Sequence, residues 1–127
     1  MPGLLLDTHA FLWWCAGAAE LSSAARRAIA REECHVSMAS LWEIAIKTSL
    51  GKLKLPSPFG KYVPDQMQAN GFAELAIGFR HIEACADLPW HHRDPFDRIL
   101  IAQAIEEDLA LVSRDAAFER YGVRRIW

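Results

Sequence analysis

Short apolar runs alternate with helical stretches along these 127 residues, which predicts an α/β fold. The expected architecture is a single domain over 1–127, with a central parallel sheet covered by helices on both faces. Three observations carry that expectation. The strand-like runs are brief and apolar throughout, as in strands buried on both faces. Helix-start signals recur between them. Asp7, Glu43, Asp97 and Asp115 each sit where such a run gives way to a helix start.

Taken in order, Gly3 to Leu6 is too short for a helix and reads as a buried strand. Ala10 to Cys15 and Ser22 to Arg31 read as helices, the second with Ser22 and Ser23 as candidate caps. His35 to Met38 is a weaker strand. The next helix has Ser40 as its expected N-cap and Glu43 completing a capping box. Apolar Leu41, Ile44, Ala45 and Leu50 follow, and Gly51 is the stop. Lys52 to Pro58 is an exposed loop, Phe59 to Ala69 a helix closed by Asn70-Gly71, and Ala73 to Ile77 a strand. His81 to Ala86 reads as a short helix and Leu88 to Arg93 as a loop. Asp94-Pro95 then opens a helix with Ile99, Leu100, Ala102 and Ile105 on its buried stripe. Leu109 to Ser113 is a strand, Ala116 to Arg120 a short helix, and Val123 to Ile126 a final strand.

Composition narrows the function. A net charge of −2 and a pI of about 6.2 leave no broad basic field, so a polyanion must be held by a local patch or through metal. Cys15, Cys34 and Cys85 are odd in number and lack a CxxC pattern, which points away from a disulfide framework or a zinc site and toward a reduced cytoplasm. The start of the chain has no basic region, and no run reaches roughly 18 apolar residues, so neither a signal peptide nor a membrane span is expected.

If the strands are parallel, the acids converge at the carboxyl edge of one sheet, where ligands of open α/β sheets bind. Each acid taken singly also reads as a helix cap or a charge favouring a helix N-terminus. As a set they suit a hard cation, because several carboxylates from separate segments stay ionised together only around positive charge. Asp94, directly before Pro95, is first a helix cap and second a metal contact. Lys47, Arg98 and Arg114, beside the acids, are candidates to hold phosphates or to balance charge. His91 and His92 are adjacent, and neighbouring residues rarely chelate one ion together, so both are assigned to a solvated loop. Trp13 and Trp14, consecutive in a helix, are not expected to reach the same core, which leaves one for a partner.

Asp7-Thr8-His9, Ser40-Leu41-Trp42-Glu43-Ile44, the run from Asp94-Pro95-Phe96-Asp97-Arg98 to Gln103-Ala104, and Leu111-Val112-Ser113-Arg114-Asp115 together resemble the successive motifs of PIN-domain ribonucleases, in particular VapC-type toxins of toxin–antitoxin pairs. The resemblance runs from the first strand nearly to the last residue. It implies a parallel sheet flanked by helices, an acidic quartet of Asp7, Glu43, Asp97 and Asp115 around Mg2+ or Mn2+, and supporting hydroxyls from Thr8 and Ser113. It implies an endoribonuclease leaving a 5′-phosphate and a 3′-hydroxyl, a homodimer, and a cognate antitoxin as partner. His9 departs from the asparagine or serine common at its position. On this reading Asp7, Asp97 and Asp115 hold one Mg2+, and Glu43 binds a second ion or orients the attacking water.

Three other classes remain as alternatives. A haloacid-dehalogenase-type phosphatase wants an acid two residues after its nucleophile, where His9 stands. A receiver domain wants paired early acids and a lysine after a late strand, where Arg114 and Asp115 stand. A catalytically silent PIN module that binds RNA or protein would be expected to lack part of the quartet.

Overall fold

The computed structural model describes residues 3–127. Its centre is β1 (Leu4–Leu6), whose side chains point alternately to two cores. Leu4 and Leu6 pack with Ala10, Phe11, Val36 and Ile44 on one face, and Leu5 packs with Leu100, Ile101, Leu111 and Phe118 on the other. An uninterrupted apolar run is what a strand covered on both faces needs.

Around β1 the sheet has five strands in the order β3-β2-β1-β4-β5, with β2 at Cys34–Ser37, β3 at Ala73–Leu75, β4 at Ala110–Val112 and β5 at Arg125–Ile126. Every pairing is parallel, in register Leu4 to Cys34 on one side of β1 and Leu4 to Ala110 on the other. The chain leaves β1 toward β2 and later returns on the opposite side as β4, which makes the β1/β4 boundary a topological switch point. The α/β expectation is met.

Helices α1 (Thr8–Ala16), α2 (Ser23–Arg31), α3 (Met38–Ser49), α4 (Phe59–Asn70), α5 (Phe79–Ala86) and α6 (Pro95–Glu106) connect the strands, with a 3-10 helix at Ala116–Tyr121. α1 begins at Thr8, earlier than the sequence suggests, because Asp7 Oδ1 accepts from the Ala10 N–H at 2.8 Å. It stops at Gly17, whose φ of 63° is the left-handed conformation that glycine adopts without penalty. Ser22 caps α2 as expected.

The start of α3 corrects the sequence reading. Ser37, the last residue of β2, is the N-cap, its Oγ accepting from the Ala39 N–H at 3.0 Å. Ser40 lies inside the first turn and is buried, so the capping box with Glu43 does not form and Glu43 is free for other contacts. The physical reason is that β2 runs into α3 with no intervening loop. At α6 the expected cap holds: Asp94 Oδ1 accepts from Phe96 N–H at 2.8 Å, with Pro95 at the first helical position. Gln103, fully buried on α6, donates through Nε2 to the Ala76 carbonyl at 3.2 Å and ties that helix to the segment after β3.

Trp13 and Trp14 both pack against the core of the β1 face, contrary to expectation. Trp14 donates its indole N–H to Asn70 Oδ1 at 2.9 Å, whereas Trp13 lies between His9 and Trp127. A helix edge wedged against neighbouring segments on both sides accommodates two rings that diverge. The three cysteines are free, and burial pushes the Cys15 and Cys34 thiols up to about 12. Among the described residues no helix is long and apolar enough to cross a membrane.

Candidate metal centre

Asp7 leaves the carboxyl end of β1, and its backbone N–H donates to the Val112 carbonyl of β4 at 3.0 Å, which seats it on the switch point. Asp115 follows β4 by a short turn in which Ser113 Oγ accepts from the Asp115 N–H at 3.1 Å. Glu43 reaches the same place from the second turn of α3, and Asp97 from the first turn of α6. All four carboxylates line one cavity of about 200 Å3, together with Thr8, Lys47 and Asp94.

Both oxygens of Glu43 are held. Thr8 Oγ1 donates to Oε1 at 2.7 Å, and Lys47 Nζ lies 2.8 Å from Oε2. Asp94 lines the cavity while serving as the α6 cap, a double position its sequence context allowed. Arg114 is exposed with its guanidinium 4.9 Å from the centre of the Trp13 ring, at the rim beside Asp7 and Asp115.

The electrostatics follow from crowding. Burial pushes the Asp7 carboxyl above its ordinary 3.8, against the pull of the Ser113 hydroxyl and the Ala10 N–H. Asp97 is pushed up to about 7, first by burial, then by the Asp94 charge, with smaller pushes from Asp7 and Glu43 and an opposing pull from His92. A site of this kind favours added positive charge, and its oxygen donors suit a divalent cation.

Two sequence assignments change here. Arg98 does not face the cavity: it is 4% exposed, and its guanidinium donates to the carbonyls of Pro89 at 2.9 Å, Cys85 at 3.0 Å and Leu88 at 3.3 Å while stacking 3.7 Å over Trp90. Although next to Asp97 in sequence, it sits about 100° further round α6, where its guanidinium gathers loop carbonyls instead of lining the cavity. His92, assigned to a solvated loop, instead turns inward, with Nε2 3.3 Å from Asp115 Oδ2. His92, Asp97 and Asp115 each bring a donor atom to within 4.8 Å of the others, a set capable of coordinating a divalent metal, while Asp7 and Glu43 line the same cavity outside that set. The available signal was adjacency itself. Two neighbouring side chains that diverge cannot share an ion, but one of them can still reach it.

Residues 4–124 match the family model described as PIN domain. This chain is a PIN domain. Its VapC-type character rests on curated relatives. Ribonuclease VapC22 of Mycobacterium tuberculosis is 32% identical over 117 residues, covering 91% of this chain and 88% of that protein. Ribonuclease VapC16 of the same organism is 45% identical over 51 residues, covering 40% of this chain and only 36% of that protein's length. The fold also recurs in solved structures. A chain in the crystal structure of VapBC2 from Rickettsia felis bound to a DNA fragment from their promoter superposes with a TM-score of 0.70 at 12% identity, covering 96% of both chains. One in a toxin–antitoxin complex from Klebsiella pneumoniae gives 0.60 at 18% identity, covering 88% of this chain and 86% of that one. The PIN domain's parallel sheet thus belongs to a fold shared across distant sequences.

Proposed function

We infer that this PIN domain, acting as one unit over 1–127, is a metal-dependent endoribonuclease and the toxin of a toxin–antitoxin pair. The observation that carries the reading is the convergence of Asp7, Glu43, Asp97 and Asp115 from separate segments on one small cavity at the switch point. Asp7, Asp97 and Asp115 would hold Mg2+, or Mn2+ in its place. A divalent ion so held would polarise a phosphate oxygen and lower the pKa of a water beside it. Glu43, held by Thr8 and Lys47 at the edge of the cavity, would orient that water or take its proton. Ser113 restrains the turn that presents Asp115.

Lys47 and Arg114 border the acids and would meet RNA phosphates. A neighbouring groove of about 420 Å3 continues from Thr8 and His9 to Lys52, Lys54 and the apolar side chains Leu12, Trp13 and Leu55. An antitoxin segment with an apolar face and a basic side chain would fit that groove and reach the acids. Trp13 lines it, whereas Trp14 is turned toward Asn70 and Phe72. Exposed Trp42, Phe79, Ile82 and Trp90 on α3, α5 and the following loop support a homodimer through that side. Free thiols accord with work in the cytoplasm.

The test is cleavage of a structured RNA mixture by purified protein before and after chelation, with Mg2+ or Mn2+ restored. Cleavage should vanish on chelation and return with either ion. Cleavage that persists in metal-free buffer, or at the wild-type rate in Asp97→Asn, would sink the reading.

A further inference from the structure

We propose that His92 supplies a nitrogen ligand to the divalent-cation site, completing with Asp97 and Asp115 a mixed donor set that raises the preference for Mn2+ over Mg2+ above that of an all-carboxylate centre. This rests on the metal-centre reading above and adds to it a donor that the acidic quartet does not include.

The orientation of the ring is the first argument. His92 Nδ1 lies 3.2 Å from the His91 carbonyl, and an oxygen of that kind only accepts, so the proton belongs on Nδ1. In the neutral imidazole, the form that binds a metal, Nε2 is then left with the bare lone pair. That nitrogen is buried and, among the described residues, has no hydrogen-bond partner, although Asp115 Oδ2 is only 3.3 Å away. A lone pair confronting a carboxylate oxygen is repulsive with nothing between them and favourable around a shared cation. Histidines that ligate metals commonly donate their other ring N–H to a carbonyl, the arrangement found here.

Rigidity is the second argument. The ring packs 5.1 Å from Phe118 and 5.8 Å from Tyr121, between their centres. The His92 backbone N–H donates to Tyr121 Oη at 2.7 Å, and its carbonyl lies 3.5 Å from the Arg98 guanidinium. Arg98 therefore acts as the positioning residue for this loop, gathering carbonyls on both sides of Trp90. A ligand fixed before metal arrives loses little freedom on binding. Chemistry supplies the preference: Mg2+ favours all-oxygen surroundings, whereas imidazole nitrogen suits first-row transition ions.

The experiment loads the whole protein with Mn2+ and records pulsed electron paramagnetic resonance. Wild type should show modulation from one directly bound 14N, which changes to the 15N pattern in protein labelled at histidine, without any substitution. His92→Gln should abolish it and His9→Gln should keep it. The ratio of Mg2+ to Mn2+ dissociation constants, from competition titrations, should fall on the order of tenfold in His92→Gln. Absence of histidine coupling in wild type, its survival in His92→Gln, or an unchanged ratio overturns the proposal. Asp97→Asn separates the two readings. If it leaves Mn2+ affinity intact the metal centre itself fails, whereas weakened binding without histidine coupling removes only His92.

Discussion

Thr8 donates its hydroxyl to Glu43 across 2.7 Å, joining the first residue of α1 to the second turn of α3. With Lys47 on the other oxygen, the carboxylate of Glu43 is held from two sides before any ligand arrives. Removing the hydroxyl in Thr8→Val should lower RNA cleavage about tenfold, since one hydrogen bond to a charged group is worth roughly 1.5–3 kcal/mol. Metal affinity should fall less than in Asp97→Asn. Steady-state cleavage and Mn2+ titration of the same preparations check this, and an unchanged cleavage rate would show that Glu43 needs no such restraint.

Asp97 predicts a pH dependence whose sign can be worked out. Its folded value of about 7 exceeds the ordinary 3.8, so between those values the folded chain keeps a proton that the unfolded chain has lost. Without metal, stability should therefore fall as pH rises from about 4 to about 7, with the Asp97 contribution levelling off above. Asp97→Asn should flatten this dependence and leave the melting temperature at pH 8 unchanged or higher. Added Mg2+ should stabilise wild type more than the variant. Thermal melts across pH, with and without Mg2+, decide the matter.

Asp94 is the contrast to Asp97. Asp94→Ala removes the cap of α6 and should cost on the order of 1 kcal/mol of stability. Because the Asp94 charge helps raise Asp97, its loss should also lower the pH at which metal binding becomes half-maximal. Loss of metal affinity equal to that of Asp97→Asn would promote Asp94 to a ligand.

Basic residues divide by burial. Lys47→Gln and Arg114→Gln should weaken RNA binding and flatten its salt dependence, as expected when a phosphate contact is lost. Arg98→Lys should leave that slope unchanged and instead lower stability by roughly 2–3 kcal/mol, because a single ammonium cannot serve the carbonyls that the guanidinium fork gathers. Denaturant unfolding and filter binding at several salt concentrations distinguish the two behaviours. A slope change in Arg98→Lys would return it to the RNA interface.

An antitoxin segment lying in the groove beside the acids predicts a further outcome. Trp13→Ala should weaken capture of a cognate antitoxin more than Trp14→Ala, because only Trp13 lines that groove. Equal losses in a co-purification assay would place the partner elsewhere.

Residue by residue, the sequence by itself determined the strands, most helix starts and the edge at which Asp7, Glu43, Asp97 and Asp115 would meet. It could do so because short apolar runs, Asp-Pro starts and glycine stops are local signals whose physics acts within a turn or two. The cap of α3 went astray at Ser40 for the same reason: two serines in one stretch offer equal local chemistry, and only the end of β2 selects Ser37. Tertiary structure alone decided that Arg98 faces away from the acids and that His92 faces them. Which side of a helix meets the crevice, and which of two adjacent loop side chains turns inward, depend on the packing of α5, α6 and the 3-10 helix against the sheet. That packing is set by contacts between residues far apart in the chain.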